Sequence, residues 1–341
     1  MFRNLVSIHD VSLFVEKARQ GRLGDLAARL ARRASGVGPA SWDHVDYPLK
    51  NWWDIPAVMA RWNSMISGDP SIDYVACFMG RHLAGRSAMR ALSLGSGTGH
   101  REIDLARTGR FAGIDAVDIS PSRIAYARRR AAETGLSGSI RYIEADARSV
   151  DLPRSSYDLV IVEQFLHHMS PVEQVLSRIR DFLAPGGLFI LNEFVGPSRF
   201  QWTDVQLAAV NGLLARLPER YRVRYRSGTV KRAVHRPGRF AMILYDPTEA
   251  VESSRIAPCV RAMFDVVEWR GYGGTVLQLL LSDIASNFLG GDEETARLLA
   301  MCFEAEDELL ASGALESDFA VAACRSPAAA AGMERFTSGP P

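Results

Sequence analysis

The stretch that most constrains the fold of this chain is ALSLGSGTGHREIDLA, residues 91–106. A short apolar run leads into glycines at positions 95, 97 and 99, and residues that suit a helix follow. Glycine lets a backbone turn tightly and approach a ligand without a Cβ in the way. A helix that begins at such a turn directs unpaired N–H groups at whatever occupies it. The stretch therefore predicts the nucleotide-binding corner of a doubly wound α/β sheet.

The spacing of the glycines limits which ligands the turn could bind. A dinucleotide-binding turn requires the pattern Gly-x-Gly-x-x-Gly. Counted from Gly95 the third glycine would be His100, and counted from Gly97 it would be Glu102. Neither register fits, so the turn favours another nucleotide-like ligand.

Acidic residues follow the next two predicted strands. Asp118 ends the strand GIDAVDIS, about twenty residues beyond the turn, where an acid binds ribose hydroxyls. Its neighbour Ile119 is a further candidate contact. After the third strand, the Asp146 carboxylate could accept from an adenine amine while Ala147 supplies a backbone N–H. In the alternative interpretation, Asp118 only begins the next helix and Asp146 belongs to an ordinary acidic loop.

Polar side chains come directly after the fourth strand, in YDLVIVEQFLHHM. Ligands in such sheets bind beyond the carboxyl ends of the strands, so Glu163, Gln164, His167 and His168 are the catalytic candidates. Adjacent histidines on a helix point in different directions, so we expect one of the two to enter the site. No further His or Cys falls at metal-ligand spacing, and the sequence therefore predicts no metal site.

Aromatic and polar residues between positions 42 and 85 suggest a lid over the ligand. Trp53 would supply an apolar face, and Arg61 or Asn63 would reach a ligand carboxylate. The alternative is simple packing at the edge of the sheet.

Residues 200–250 interrupt the regular alternation of strands and helices and predict an insertion. Within it, ERYRVRYRSGTVKR fits an exposed β-ribbon that turns at Ser227-Gly228. The same interleaving of arginine and tyrosine is also seen in RNA-binding stripes.

The pattern divides the chain into three parts. Residues 1–85 predict a helical cap or lid, 86–325 the α/β domain with its insertion, and 326–341 a disordered tail. Within this cap, residues 1–40 predict a helix that could cap the site, form a homodimer contact, or simply pack on the domain.

Composition excludes several classes of protein. The 341 residues carry a net charge of +1, which gives no reason to expect nucleic acid or an anionic surface. Four scattered cysteines suit a reducing compartment. No apolar run reaches membrane-spanning length, and the charged N-terminus is not a signal peptide, so we expect a cytoplasmic location.

The motifs together resemble a family of class I S-adenosylmethionine (SAM) dependent methyltransferases, of the bacterial type that acts in small-molecule or glycan biosynthesis. The resemblance rests on LSLGSGTG, AVDIS, EADA, LHH, LAPGGLFILNEFVGPSRFQW and YGGT. It implies a Rossmann-like sheet of seven strands, mostly parallel, with the last strand antiparallel.

The resemblance also implies roles for individual residues. The turn, including Ser96 and Gly99, would hold the methionine part of SAM, with Glu163 nearby. Asp118 would hold the ribose, and Asp146 with Ala147 the adenine. Arg199, Trp202 and Tyr272 would lie on the substrate side. Many class I enzymes have an acid two positions before the first glycine, which contacts the SAM amine, whereas this chain has Ser93.

Methyl transfer to a small molecule is the leading expectation for function, with His167, His168 or Glu163 as the base. Two alternatives remain at this stage. The SAM amine could attack its own γ-carbon, giving azetidine-2-carboxylate and methylthioadenosine, or the chain could be a SAM-binding regulatory subunit.

Overall fold

The computed structural model describes residues 51–327. The predicted helix over residues 1–40 and most of the predicted tail, from residue 328, lie outside the described residues.

Within residues 51–327, seven strands form a single sheet in the order β3-β2-β1-β4-β5-β7-β6. Strand β7 runs antiparallel to both of its neighbours, and the other neighbouring pairs are parallel. The strands are β1 (Met89–Leu94), β2 (Phe111–Asp118), β3 (Ile140–Glu144), β4 (Tyr157–Glu163), β5 (Leu183–Phe194), β6 (Asp265–Gly271) and β7 (Phe319–Arg325). The predicted doubly wound, mostly parallel sheet of seven strands is confirmed.

Ten α-helices accompany the sheet within residues 51–327. They are α1 (Pro56–Ser67), α2 (Tyr74–His82), α3 (His100–Arg107), α4 (Pro121–Glu133), α5 (Val172–Phe182), α6 (Asp204–Arg216), α7 (Arg239–Tyr245), α8 (Ser253–Met263), α9 (Leu277–Leu281) and α10 (Glu293–Ala311). None of the helices in this part of the chain has the length and apolar character that crossing a bilayer requires.

The central strands carry side chains that are buried on both faces. Residues 159–162 of β4 are at most 1% exposed, as expected for a parallel strand covered by helices on each side. The order of the strands reverses between β1 and β4, because β1 leads out to β2 and β3 while β4 leads out to β5. A crevice opens beyond the carboxyl ends of the strands at such a reversal, and this is where the site lies.

The described part of the predicted lid packs on the same sheet. The ring of Trp52 lies 5.3 Å from that of Phe319 on β7, and the ring of Trp62 lies 4.9 Å from that of Tyr272. Residues 51–85 therefore share a hydrophobic core with the α/β domain.

The predicted β-ribbon is wrong in its extent. Residues Glu219–Arg222 form a 3-10 helix, and a single antiparallel bridge joins Val223 to Val230. Tertiary contacts explain the difference, since Tyr221 is buried and the buried Lys231 donates to the carbonyls of α9 and the turn after it. These contacts hold the segment on the core instead of leaving a ribbon exposed.

Candidate active site

A cavity of about 860 Å³ opens at the carboxyl edge of the sheet. Its wall includes the glycine turn after β1, the ends of β2 and β4, the loop after β3, part of α1, and residues 248–249. Cavities of this size hold a cofactor-sized ligand.

The glycine turn is fixed by contacts at its two ends and is open in the middle. Gly95, Gly97 and Gly99 have φ of 75°, 55° and 76°, in the left-handed region that favours glycine. A Cβ at Gly95 would overlap the Phe165 ring, and one at Gly99 would lie 2.5 Å from the Tyr142 Oη. A Cβ at Gly97 would meet nothing within 4 Å, so the middle of the turn leaves room for a ligand.

Asp118 joins the end of β2 to the glycine turn. Its Oδ2 accepts from the Gly97 N–H and its Oδ1 from the Ser120 N–H, both at 2.8 Å. Each carboxylate oxygen can still accept from a further donor, such as a ribose hydroxyl. Ile119, beside it, is 44% exposed and lines the cavity.

Asp146 and Ala147 lie in the cavity wall after β3. Arg148 binds both carboxylate oxygens of Asp146, and this hydrogen bonding lowers the pKa of Asp146. The carboxylate therefore stays ionised and can accept a hydrogen bond from an amine.

Buried polar atoms around the cavity fit a polar ligand such as SAM. Within residues 51–327, Ser96 Oγ, Trp62 Nε1 and Gln278 Oε1 are buried without a hydrogen-bond partner, and all three residues line the cavity. A buried polar group without a partner is costly, and a ligand with donors and acceptors would satisfy these three.

Arg101, which the sequence analysis missed, connects the lid to the end of β4. It binds both oxygens of Glu163 at 3.0 and 3.1 Å and Asp73 Oδ2 at 2.7 Å. Asp73 also caps the start of α2 through Ala76 N–H. Burial alone would lower the pKa of Arg101, but Tyr74 and the two carboxylates raise it overall. Arg101 is therefore a permanent cation at the methionine end of the predicted cofactor site.

His167 is buried and held by a buried acid. Its Nδ1 lies 2.9 Å from Glu193 Oε2, and Glu193 Oε1 accepts from the backbone N–H groups of Phe165 and Leu166. Burial lowers the pKa of His167, but Glu193 raises it overall. Glu193 was not among the predicted residues, because nothing in the sequence pairs it with His167, 26 positions earlier.

Both histidines line the cavity, so the expectation that only one of them enters the site is wrong. The two rings lie 4.2 Å apart, centroid to centroid. Leu166–His168 is a 3-10 turn rather than part of a long α-helix, and Gln164 before it has a left-handed φ of 50° that redirects the chain. Burial, followed by the charge of His167, lowers the pKa of His168 to about 2.

Glu249, which the sequence analysis also missed, faces the two histidines. Its Oε1 lies 3.8 Å from His167 Nε2, and its Oε2 lies 4.0 Å from His168 Nε2. Burial raises the pKa of Glu249. The insertion brings this acid into the cavity wall from 81 positions beyond His168.

The predicted substrate and lid residues divide into two groups. Trp53, Asn63 and Tyr272 line the cavity, as does Gln164, and Tyr272 donates to Asn192 Oδ1 at 2.5 Å. The other three, Arg61, Arg199 and Trp202, lie outside its wall.

The prediction that Arg61 reaches a ligand carboxylate is wrong. Arg61 is paired with Glu306 at 3.0 Å and with Asp307 at 2.5 Å, both on α10. Arg199 and Trp202 contact residues of the wall, since Arg199 donates to the Glu249 carbonyl and Trp202 stacks on Phe200.

The strand order, the antiparallel β7 and the glycine turn at the reversal define the class I SAM-dependent methyltransferase fold. A comparison with protein families agrees, because the family described as "Methyltransferase domain" matches residues 91–187. Residues 91–187 are therefore similar to a methyltransferase domain, and the cofactor of such domains is SAM.

Curated relatives share this same part of the chain. A demethylmenaquinone methyltransferase of Thermus thermophilus is 31% identical over 114 residues, covering 33% of this chain and 51% of that protein. A ubiquinone/menaquinone biosynthesis C-methyltransferase of Azotobacter vinelandii is 28% identical over 114 residues, covering 33% and 45%. The chain spans about half the length of the curated relatives it matches.

Among solved structures, phosphoethanolamine N-methyltransferase 2 of Haemonchus contortus in complex with SAM is similar at a TM-score of 0.46 and 14% identity, covering 81% of this chain and 58% of that one. The [4+2]-cyclase SpnF is similar at a TM-score of 0.44 and 15% identity, covering 83% and 99%.

Proposed function

We propose that this protein is a SAM-dependent methyltransferase that acts on a small molecule. The observation that carries the proposal is one cavity lined by two chemically different groups of residues. We call the glycine turn with Asp118 the cofactor end, and His167, His168 and Glu249 the other end. Its volume of about 860 Å³ accommodates SAM together with a modest acceptor.

The cofactor end would bind SAM in an extended conformation along the edge of the sheet. Asp118 would accept from the ribose hydroxyls, and Asp146 with Ala147 would bind the adenine. The amino acid part would lie at Gly97 and Ser96. Arg101 supplies a positive charge for its carboxylate, while Glu163 offers a negative charge for its amine, in place of the acid that Ser93 replaces.

The reaction at the other end would be an in-line displacement. The acceptor attacks the methyl carbon, the carbon–sulfur bond breaks, and its electron pair stays on sulfur as S-adenosylhomocysteine leaves. Alignment of the two ligands in one cavity contributes several kcal/mol to such a step. An acceptor hydroxyl or amine also loses a proton, and His167, His168 and Glu249 are the residues that would assist its removal.

The contacts of the candidate residues separate their roles. His167 and His168 are suited to directing the acceptor and its proton, because their Nε2 atoms lie beside Glu249 in the cavity wall. Glu163 is bound on both oxygens by Arg101, which favours a positioning role over that of a base. Gln164 cannot take a proton and would only hydrogen-bond the acceptor.

The first test is to incubate the purified protein with SAM, alone and with a panel of acceptors, and to identify the products. The panel contains hydroxyl, amine and carbon nucleophiles. We expect S-adenosylhomocysteine only when an acceptor is added. Methylthioadenosine from SAM alone would instead indicate attack on the γ-carbon, and SAM binding with neither product across the panel would indicate a regulatory role. Either result would overturn the proposal.

A matched pair of variants tests the cofactor end. Asp118→Asn removes a charged acceptor and should weaken SAM binding by about tenfold or more in calorimetry, since hydrogen bonds to charged groups contribute about 1.5–3 kcal/mol. Asp204→Asn, whose side chain is 95% exposed on α6, is the control and should bind SAM as the parent does. Equal affinities in the two variants would refute the role of Asp118.

A further inference from the structure

We propose that His167, His168 and Glu249 bind a divalent transition-metal ion, which would contact the methyl acceptor. The proposal rests on the proposed function only for what the ion does, and it reverses the expectation that the chain has no metal site. One ligand atom from each of the three residues lies within 4.8 Å of the others.

The ligand types suit such an ion. Two imidazoles and one carboxylate are the protein ligands of several catalytic zinc sites and of the facial triad that binds iron. Three protein ligands leave further coordination positions for water or a substrate oxygen.

The distances require only a small contraction. Metal–ligand bonds of about 2.0–2.2 Å place neighbouring ligand atoms about 3.0–3.6 Å apart. In this structure Glu249 Oε1 is 3.8 Å from His167 Nε2, and Glu249 Oε2 is 4.0 Å from His168 Nε2. All three ligand atoms lie within 4.8 Å of one another, so side-chain shifts of about 1 Å would bring them to bonding distance of one ion.

The outer contacts of His167 are those of a metal ligand. A ligating histidine typically donates its other ring nitrogen to a carboxylate, which fixes the tautomer and orients the ring. His167 Nδ1 is 2.9 Å from Glu193 Oε2, and Glu193 is itself held by two backbone N–H groups. The arrangement directs the Nε2 lone pair of His167 toward the cavity.

His168 is oriented in the same way from the other side. The Thr248 hydroxyl donates to Asp246 Oδ1 at 2.6 Å, so its oxygen is an acceptor for His168 Nδ1, 3.2 Å away. With its proton on Nδ1, His168 presents Nε2 to Glu249. Each of the two histidines therefore has one nitrogen fixed by an outer contact.

The backbone holds Glu249 against the histidines. The Val251 N–H donates to the His167 carbonyl at 3.0 Å, and the Arg199 N–H donates to the Ala250 carbonyl at 2.6 Å. Arg199 and Ala250 both have left-handed φ, of 56° and 47°. Strain of this kind costs about 1–3 kcal/mol per residue and is concentrated at functional sites.

A bound ion would activate an oxygen acceptor. Coordination of an acceptor hydroxyl favours loss of its proton to solvent, as it does for metal-bound water. The resulting oxygen attacks the SAM methyl carbon, the carbon–sulfur bond breaks, and the electron pair remains on sulfur. The acceptor class is therefore a molecule with a hydroxyl that can reach the ion.

Titration of the chelator-treated protein with Co²⁺, without SAM or acceptor, tests the site. We expect one ion per chain, with visible absorption bands from nitrogen and oxygen ligation. Thr248→Val should weaken binding by about 10–100-fold, the usual effect of losing an outer contact. Glu249→Gln and His168→Ala should weaken it at least as much.

Control measurements separate this proposal from the function above. His235→Ala removes an exposed histidine outside the cavity wall and should leave Co²⁺ binding unchanged. Calorimetry with SAM on every variant reports whether the fold and the cofactor end are intact. Absence of stoichiometric binding, or equal binding by the parent, His168→Ala and Glu249→Gln, would overturn the metal site while leaving methyl transfer standing. Binding lost in those variants without any methyl transfer would support the metal site and reject the function.

Discussion

Replacing Gly97 and Gly99 by alanine, one at a time, should separate the ligand-facing part of the turn from the part that packs on the core. Both glycines have left-handed φ, of 55° and 76°, which costs an alanine about 1–2 kcal/mol. Replacing glycine also lowers the conformational entropy of the unfolded chain, which offsets about 0.4–1 kcal/mol of this backbone cost. The two sites therefore start from a similar, small backbone cost.

Packing around the added Cβ then gives the two variants different stabilities. A Cβ at Gly99 would lie 2.5 Å from Tyr142 Oη and 2.7 Å from Ala127 Cβ, well inside van der Waals contact, and both neighbours are buried. Overpacking of this kind adds about 1–3 kcal/mol, so Gly99→Ala should lose about 2–4 kcal/mol of stability in total. A Cβ at Gly97 meets nothing within 4 Å, and Gly97→Ala should lose about 1 kcal/mol or less.

Urea unfolding and SAM calorimetry together check the pair. Gly97→Ala should unfold nearly as the parent does, yet bind SAM at least about tenfold more weakly, because its methyl group occupies space at the turn. Gly99→Ala should show the larger fall in the unfolding free energy. If Gly97→Ala binds SAM as tightly as the parent, the cofactor does not approach the turn at that residue and the placement of its methionine part is wrong.

The remaining predictions concern pH. Burial raises the pKa of Glu102 from 4.5 to about 7, so the folded chain holds a proton there that the unfolded chain releases. The unfolding free energy should therefore fall by up to about 3 kcal/mol as pH rises from about 4.5 to 7. Glu102→Gln should flatten this pH dependence. Parallel pH profiles of the parent and the variant in urea unfolding would contradict the prediction. Burial raises the pKa of Asp115, but hydrogen bonds from Arg141 and Tyr157 lower it overall, so its stabilisation is present above about pH 3.8 and is lost in more acidic solution. Asp115→Asn should cost about 1–3 kcal/mol at pH 7 and much less at pH 2, measured by thermal unfolding, and an equal cost at both pH values would refute this.

The sequence predicts well which residues line the cofactor end of the cavity, because their signals are local. Gly95, Gly97 and Asp118 each follow a strong apolar strand signal, and parallel strands bring their carboxyl ends to one edge of the sheet. The seven-stranded fold follows from the same alternation together with the family resemblance. The roles of these residues toward SAM remain predictions until binding is measured.

The other end depends on pairings over long distances in the chain, which periodicity does not reveal. Glu249 meets the histidines 81 positions after His168. Arg61 is paired with Glu306, 245 positions later, and so lies away from the cavity. Glu306 itself accepts from the N–H groups of Val276 and Leu277 at the start of α9. Likewise, the 3-10 turn that brings both histidines to the wall differs too little from an α-helix in its sequence signal to be distinguished.

The position of the cavity residues in the sequence has a consequence for engineering. The glycine turn, Asp118, Asp146 and Glu163 all lie within residues 91–187, the part shared with known methyltransferase domains. His167 and His168 also lie within it, whereas Glu193, Glu249 and Tyr272 lie outside it. Substitutions in residues 246–251 should therefore alter the histidine side of the cavity while leaving cofactor affinity intact, which makes this short segment the natural target for a library that tests the proposed function with new acceptors.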